Sequence, residues 1–162
     1  MAKQNNKRSI YVYAHWLGMG NPLLMGILHS DRLKGEEIFS FEYDGDWLQN
    51  GPAQLLDPSL QLYSGLHYLN EEQDNFGIFL DSSPDRWGRI LMRRREAALA
   101  RTDEREEQKL FETDYLLGVY DGHRMGALRF KLEKDSPFLN NNKNMASTPL
   151  LNNISLLTYV YL

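Results

Sequence analysis

The chain has 162 residues, 42% of them hydrophobic and 25% charged, and its formal net charge is -4 at pH 7. This length and composition predict one globular domain with a buried core. The sequence contains no cysteine, which excludes a disulfide framework and thiolate metal sites and favours the cytoplasm. The polar start M-A-K-Q-N-N-K-R has no apolar signal-peptide core, and no uncharged apolar run is long enough for a membrane span. We therefore expect a cytoplasmic protein.

The first third of the chain alternates between apolar and polar residues in the manner of antiparallel strands. Three strands are predicted, over Ser9–His15, Leu23–His29 and Phe39–Tyr43. In the first strand, Ile10, Val12 and Ala14 share one face. The turn sequences G-M-G-N-P and H-S-D-R-L-K-G separate the strands.

The stretch from residue 54 to residue 75 has no clear period. Pro58 and a Ser-Gly pair indicate an irregular but ordered excursion. We expect Leu60, Leu62 and Tyr63 to hold it against the core.

A helix is predicted after this excursion. Ser83 is placed to cap it, Pro84 to occupy its first position, and Asp85 to add negative charge to its first turn. Four apolar residues recur at helical spacing and should face the core. They are Trp87, Ile90, Leu91 and Ala98.

A charged connector leads to a second predicted helix, Thr113–Tyr120, and the turn D-G-H-R leads to a strand, Gly126–Leu132. Strands that come first, with helices interleaved late and no regular βαβ repeat, indicate an α+β domain.

Catalytic signatures are absent from the sequence. Gly18 and Gly20 form a lone G-x-G between two strands, which favours a hairpin loop over a phosphate site. No nucleophile elbow, Walker lysine or protein-kinase H-R-D or D-F-G element occurs. The histidines never stand four residues apart, so no metal site is predicted. Asp81, Asp85 and Asp121 are interpreted as helix-entry or turn residues.

Six arginines lie between Asp81 and Arg101, and three of them, Arg86, Arg89 and Arg93, fall on one helical stripe that could track phosphates. Asp85 precedes Arg89 by four residues and Glu96 follows Arg93 by three, so two ion pairs are expected, each stabilising the helix by roughly 0.2–0.5 kcal/mol. This pairing, together with the net negative charge, argues against nucleic-acid binding. A solvated or partner-facing helix is expected instead.

Three segments resemble, in order, motifs of the HipA-like serine/threonine kinase toxins. F-G-I-F-L-D-S-S-P-D-R-W-G-R (Phe76–Arg89) resembles their F…LPDxWGR signature. E-I-F-S-F-E-Y-D-G-D-W-L is similar to their FxYDxxWL element, and D-Y-L-L-G-V-Y-D-G-H-R-M-G-A-L-R-F to their D-LLG…R-GALRF element. The resemblance covers residues 9 to 132 and assigns motif or interaction roles to Asp81, Ser83, Pro84, Asp85, Arg86, Trp87, Gly88, Arg89, Arg93, Gly118, Arg124, Gly126 and Arg129.

The resemblance implies an α+β fold with a small, partly barrel-like antiparallel sheet and two main helices, as in the HipA N-terminal subdomain. Family members phosphorylate translation-related targets with ATP and magnesium, and a HipB-like DNA-binding antitoxin restrains them. Their phosphate loop, catalytic aspartate and metal-binding aspartate lie downstream of the G-A-L-R-F strand. We therefore expect no catalytic, cofactor or metal residues in this chain.

The expected organisation is a disordered N-terminus (1–8), a HipA N-terminal-like domain (9–135), and a linker with the truncated start of a further subdomain (136–162). The uncharged ending N-N-I-S-L-L-T-Y-V-Y-L is interpreted as that of a chain cut short. The expected function is a non-catalytic docking module with a kinase core or kinase subunit and the antitoxin as partners, without nucleic acid or membrane. The alternatives are the small subunit of a split system, which binds and neutralises its kinase, and a phosphotransferase whose core is supplied in trans.

Overall fold

The computed structural model describes residues 7–52, 54–70, 73–124 and 126–139. Its sheet has five antiparallel strands in the order β4-β3-β2-β1-β5. They are β1 (Lys7–Ala14), β2 (Leu23–Leu33), β3 (Glu36–Tyr43), β4 (Leu66–Tyr68) and β5 (Leu128–Lys131). The prediction of a partly barrel-like sheet is wrong, because β4 and β5 form opposite edges and the sheet is open. These edge strands have only three and four residues, which leaves little backbone with which to close a barrel.

The three predicted N-terminal strands are confirmed, but all three are longer than predicted, and β2 continues to Leu33. β1 begins at Lys7 and β3 at Glu36, in polar residues that pair with β2 through their backbones. Ladder hydrogen bonds do not depend on side-chain polarity, so the alternation underestimates these strands. The predicted hairpin loop is also confirmed: β1 and β2 pair on either side of Gly18, whose φ of 92° suits glycine.

Four α-helices and one short 3₁₀ turn complete the described part of the chain. They are α1 (Gly45–Asn50), α2 (Gly77–Asp81), α3 (Arg86–Thr102), α4 (Glu112–Gly118) and the 3₁₀ turn (Asp121–His123). The α+β class is thus confirmed, and α3 and α4 correspond to the two predicted helices. The five- and six-residue helices α2 and α1 are too short to show a period in the sequence.

The core lies on one face of the sheet. Ile10, Val12 and Ala14 of β1 share one face, as predicted, and are fully buried; the alternating aromatic residues of β3 point the same way. Phe76 and Phe79 from α2 and its entry, together with Leu116 of α4, pack against this face. The core is therefore a sheet covered by short helices.

The excursion between α1 and α2 is held at fewer points than predicted. Leu60 is fully buried, but Leu62 and Tyr63 are exposed, so their predicted anchoring role is wrong. The hydroxyl of Tyr43 donates to the Leu60 carbonyl at 2.8 Å, and burial raises the pKa of Tyr43 to about 12. This bond from a side chain to the backbone, invisible in the apolar pattern, holds the Leu60 carbonyl.

The prediction for the start of α3 is wrong by two residues. Asp85 is the N-cap, and its carboxylate accepts the Gly88 N–H at 2.8 Å. Ser83 donates instead to the Phe79 carbonyl at 2.9 Å, and Pro84 precedes the cap. Ser83 therefore belongs to the turn that ends α2, which the sequence does not distinguish from a helix entry.

The predicted buried face of α3 is also wrong. Trp87 is 57% exposed and Ala98 is exposed, whereas Gly88, Met92 and Ala100 are buried. Apolar residues occur on both sides of this helix, so its periodicity does not select one side. Contact with the rest of the domain selects the side with the smaller residues.

The last two elements are shorter than predicted. α4 ends at Gly118 rather than Tyr120, and β5 covers Leu128–Lys131 within the predicted Gly126–Leu132. Leu128 and Phe130 are buried, whereas Leu132 is 45% exposed. The predicted linker from 140 and the apolar ending lie outside the described residues.

Candidate interaction site

The three segments that carry the family resemblance meet in one aromatic cluster. The ring of Phe41, from the segment similar to FxYDxxWL, lies 6.5 Å from that of Phe76 and 5.6 Å from that of Phe79. Phe76 and Phe79 both belong to the Phe76–Arg89 segment. The Phe79 ring in turn lies 6.4 Å from the ring of Phe130, which ends the G-A-L-R-F segment. All four side chains are at most 1% exposed. Segments far apart in the sequence therefore form a single packed unit.

Arg124 joins the Phe76–Arg89 segment to the segment that ends in G-A-L-R-F, through hydrogen bonds to the backbone of both. Its guanidinium donates to the carbonyls of Ser82 (3.1 Å), Leu116 (2.7 Å) and Val119 (3.1 Å). It also stacks over the Phe130 ring at 4.6 Å. Burial lowers the pKa of Arg124 to about 10, so the group stays charged at neutral pH. This predicted site residue is a structural clamp.

Arg129 forms an ion pair with Asp121. Its Nε and Nη2 atoms donate to Asp121 Oδ2 at 2.9 and 2.5 Å, and the guanidinium stacks on Phe138 at 3.8 Å. Asp121 thus holds Arg129 at the turn before β5, which fits its interpretation as a turn residue. Gly126, with a φ of 87°, lets the chain pass from this turn toward β5.

Arg89 faces the domain rather than the solvent. It forms a two-point ion pair with Glu112, in which Nη2 and Oε2 are 2.8 Å apart. Its Nε donates to the Pro84 carbonyl, and it stacks on Tyr115. The hydrogen bond that Arg89 donates to Glu112 raises the pKa of Arg89 despite partial desolvation.

The three arginines at helical spacing therefore do not form one exposed stripe, since Arg89 points inward while Arg86 and Arg93 are exposed. Neither predicted ion pair forms. Asp85 is used as the helix cap, and Glu96 pairs with Arg105 at 2.5 and 3.1 Å. The Arg105 guanidinium and the Gln108 N–H both donate hydrogen bonds to Glu96, and these bonds lower its pKa to about 2.

The remaining predicted residues divide between close packing and exposure. Gly88 fits tightly, since a Cβ atom at this position would lie 2.7 Å from Pro84 Cβ. Gly118 ends α4. Asp81, at the end of α2, and Trp87 are exposed. Six of the predicted residues are thus exposed: Asp81, Asp85, Arg86, Trp87, Arg93 and Gly126.

The exposed side of α3 forms a continuous surface, which we call the α3 outer face. Its midline is Trp87, Arg94 and Arg101, spaced seven residues apart and hence about 10.5 Å apart along the axis. Ile90 and Leu91 lie half-buried on either side of this line. Arg94 and Arg101 were missed at the sequence level. The sequence shows their spacing of seven residues from Trp87. That spacing indicates an exposed surface only once Trp87 is known to point outward.

Two surface grooves lie elsewhere and contain none of the predicted site residues. One, of about 760 Å³, lies between β3 and the segment before α4, with Ile38, Tyr68 and Phe111 in its wall. The other, of about 410 Å³, includes Tyr13 and Trp47. Neither groove adjoins a catalytic constellation.

Metal and membrane sites were sought in the same described ranges. They contain no group of three or more His, Asp or Glu side chains that could hold a metal ion. None of the helices described is both long and apolar enough to cross a membrane.

Comparison with known proteins adds no family assignment. No family model matches the chain, and neither the search of curated proteins nor the search of solved structures found a match.

Proposed function

We propose that this chain is the N-terminal, non-catalytic docking and regulatory domain of a HipA-like toxin–antitoxin serine/threonine kinase, with the domain spanning about residues 9–135. The observation that carries the proposal is the convergence of the three motif segments on one aromatic cluster, clamped by Arg124. Phe41, Phe76, Phe130 and Arg124, which match the family pattern far apart in the sequence, thus help to hold this domain together.

A docking role fits these residues better than a catalytic one. Phosphoryl transfer depends on positioned phosphate-binding groups and on carboxylates that hold magnesium. Asp85 caps α3 and Asp121 is engaged by Arg129, so these carboxylates do not fit a magnesium site. In the proposal, ATP and magnesium bind to the kinase core, and this chain contributes its surface.

The proposed partners are a kinase core or kinase subunit and a HipB-like antitoxin, in the cytoplasm. The split-system alternative uses the same surface, because a free-standing small subunit would also have to bind its kinase. The toxin-domain and split-system proposals predict different coding sequences after residue 162. A kinase core encoded directly after residue 162, in frame or frameshifted, supports the toxin domain, whereas an independent start codon supports the split system.

The biochemical test is association with that kinase. The core is expressed separately, and its binding to this chain is followed by calorimetry, with autophosphorylation of the core measured with and without the chain. We expect stoichiometric binding and an altered autophosphorylation rate, while the chain alone binds no Mg-ATP. Absence of binding to the encoded core, or micromolar ATP affinity of the chain alone, would contradict the proposal.

A further inference from the structure

We infer that the α3 outer face is the docking surface, and that it fits a protein partner with an apolar groove rimmed by carboxylates. The inference rests on the proposed docking function and specifies its surface and the chemistry of its partner. Its components are the midline Trp87, Arg94 and Arg101 and the flanking residues Ile90 and Leu91.

Trp87 provides the apolar anchor of this surface. More than half of its area is exposed, although tryptophan gains free energy from burial and is enriched among residues that dominate binding energies. The ring is also presented rigidly. It lies in the first turn of a helix whose start is fixed by the Asp85 cap and by the contact of Gly88 with Pro84. A partner can therefore bury the ring without ordering the backbone that carries it.

The charge of α3 defines the rim of the partner. The helix contains six arginines and a single carboxylate, Glu96, which is already paired with Arg105. Arg89 is also satisfied internally, by Glu112. Arg86, Arg93, Arg94 and Arg101 are exposed along the helix. A complementary surface must therefore carry carboxylates, which arginine can bind through two parallel hydrogen bonds.

A protein fits this surface better than a nucleic acid does. The positive charge of α3 is interrupted by the apolar residues Trp87, Ile90 and Leu91. Such an apolar helix face suits the hydrophobic groove of a protein partner. The helix is followed at once by the exposed acidic residues Asp103, Glu104, Glu106 and Glu107. These would repel a phosphate backbone running along the helix axis, and a nucleic acid needs a continuous positive track.

The test uses the full chain and three labelled polyanions: a random copolymer of glutamate and tyrosine, polyglutamate, and random-sequence duplex DNA. Binding is measured by fluorescence anisotropy at physiological ionic strength. We expect the copolymer to bind best, because it alone combines carboxylates with apolar side chains. Trp87→Ala and Arg94→Glu should each weaken its binding by about tenfold without lowering the melting temperature.

Matched controls distinguish binding through the α3 outer face from non-specific binding elsewhere on the protein. Tyr68→Ala removes another exposed aromatic residue, on β4, and Lys34→Glu reverses another exposed charge, in the β2–β3 turn. Both should leave copolymer affinity unchanged. The inference is overturned if DNA binds more tightly than the copolymer, or if the controls weaken binding as much as the α3 variants. A dimer of the full chain that Trp87→Ala abolishes would also overturn it, since a second copy would then occupy the face.

The outcome is distinguishable from the fate of the proposed function. If the kinase core binds but the α3 variants do not weaken that binding, the docking function stands and this surface assignment fails. If the copolymer binds through α3 but no encoded kinase core binds, the surface stands and the family-based function fails.

Discussion

Arg124 is a single residue that joins three stretches of backbone. Its guanidinium occupies carbonyls at the end of α2, within α4 and just after α4. A buried cation is costly unless its hydrogen bonds are satisfied. Here the three carbonyls accept from the two Nη atoms and the Phe130 ring stacks on the group, whereas Nε is buried without a hydrogen-bond partner. Asp85 works at the same scale, since one carboxylate satisfies an otherwise unpaired N–H at the start of α3.

Replacement of Arg124 by methionine should lower the free energy of unfolding by about 3 kcal/mol, because buried carbonyls lose their donors. Urea denaturation measures the loss. Arg94→Met is the matched control, since Arg94 is exposed and its replacement should cost less than about 0.5 kcal/mol. Equal effects of the two substitutions would show that the clamp contributes little.

Replacement of Asp85 by alanine should cost about 1 kcal/mol through loss of the α3 cap. Asp81→Ala, an exposed aspartate one turn earlier, serves as the control and should leave stability unchanged. Thermal melts compare the two. A larger loss for Asp81→Ala would contradict the assignment of Asp85 as the cap.

At the scale of elements, a buried polar network fixes α4 against the sheet. The Glu37 carboxylate of β3 accepts the Thr113 N–H at 2.9 Å and the Thr113 hydroxyl at 2.6 Å. It also accepts the Ser30 hydroxyl and the Arg32 Nε. Asp114 reinforces the same junction by binding Arg32 at 2.7 Å. A helix of only seven residues has little intrinsic stability, so these contacts position it.

The substitution Glu37→Gln should lower the free energy of unfolding by about 2 kcal/mol, because the amide group cannot accept all of these hydrogen bonds and charge-assisted bonds are lost. Glu36→Gln, the exposed neighbouring position, is the control. Chemical denaturation and hydrogen exchange of the α4 amides report the effect. Unchanged exchange in α4 would mean that apolar packing alone holds the helix.

At the scale of the whole molecule, charge is separated between surfaces. The chain is net negative, yet the α3 outer face is basic and the connector after it is acidic. Glu96 and Arg105 pair across this boundary and connect α3 to its connector. The stability of that connection depends on the ionisation of Glu96.

Glu96→Gln should destabilise the protein at neutral pH but not in strong acid. The folded-state pKa of Glu96 is about 2, below its ordinary value of 4.5, so the folded protein favours the ionised form. The stabilisation is therefore complete above about pH 4.5 and is lost as the pH falls toward 2. Melting temperatures of the two proteins, measured across this range, should converge at its acidic end. A constant difference would argue against the ion pair as its source.

The sequence by itself determined strands β1, β2, β3 and β5, the existence of α3 and α4, and the α+β class, because alternation and helical spacing are local properties of the chain. The three-residue strand β4 lies in the stretch without a clear period and was not predicted. Only the tertiary structure decided that the sheet stays open, since closure depends on how the short edge strands meet. It also decided which side of α3 is buried. That helix has apolar residues on both sides, and the small residues Gly88 and Ala100 allow close approach to the domain.

The charge partners were likewise decided by the tertiary structure. Sequence spacing offers Asp85 for Arg89 and Glu96 for Arg93, but isolated i, i+4 pairs contribute only a few tenths of a kcal/mol. Partners that the fold brings within reach from other segments displace them, as Glu112 does for Arg89 and Arg105 for Glu96. The outward direction of Trp87 follows from the same cause. Once the other side of α3 is packed against the domain, the helix geometry leaves this ring facing the solvent.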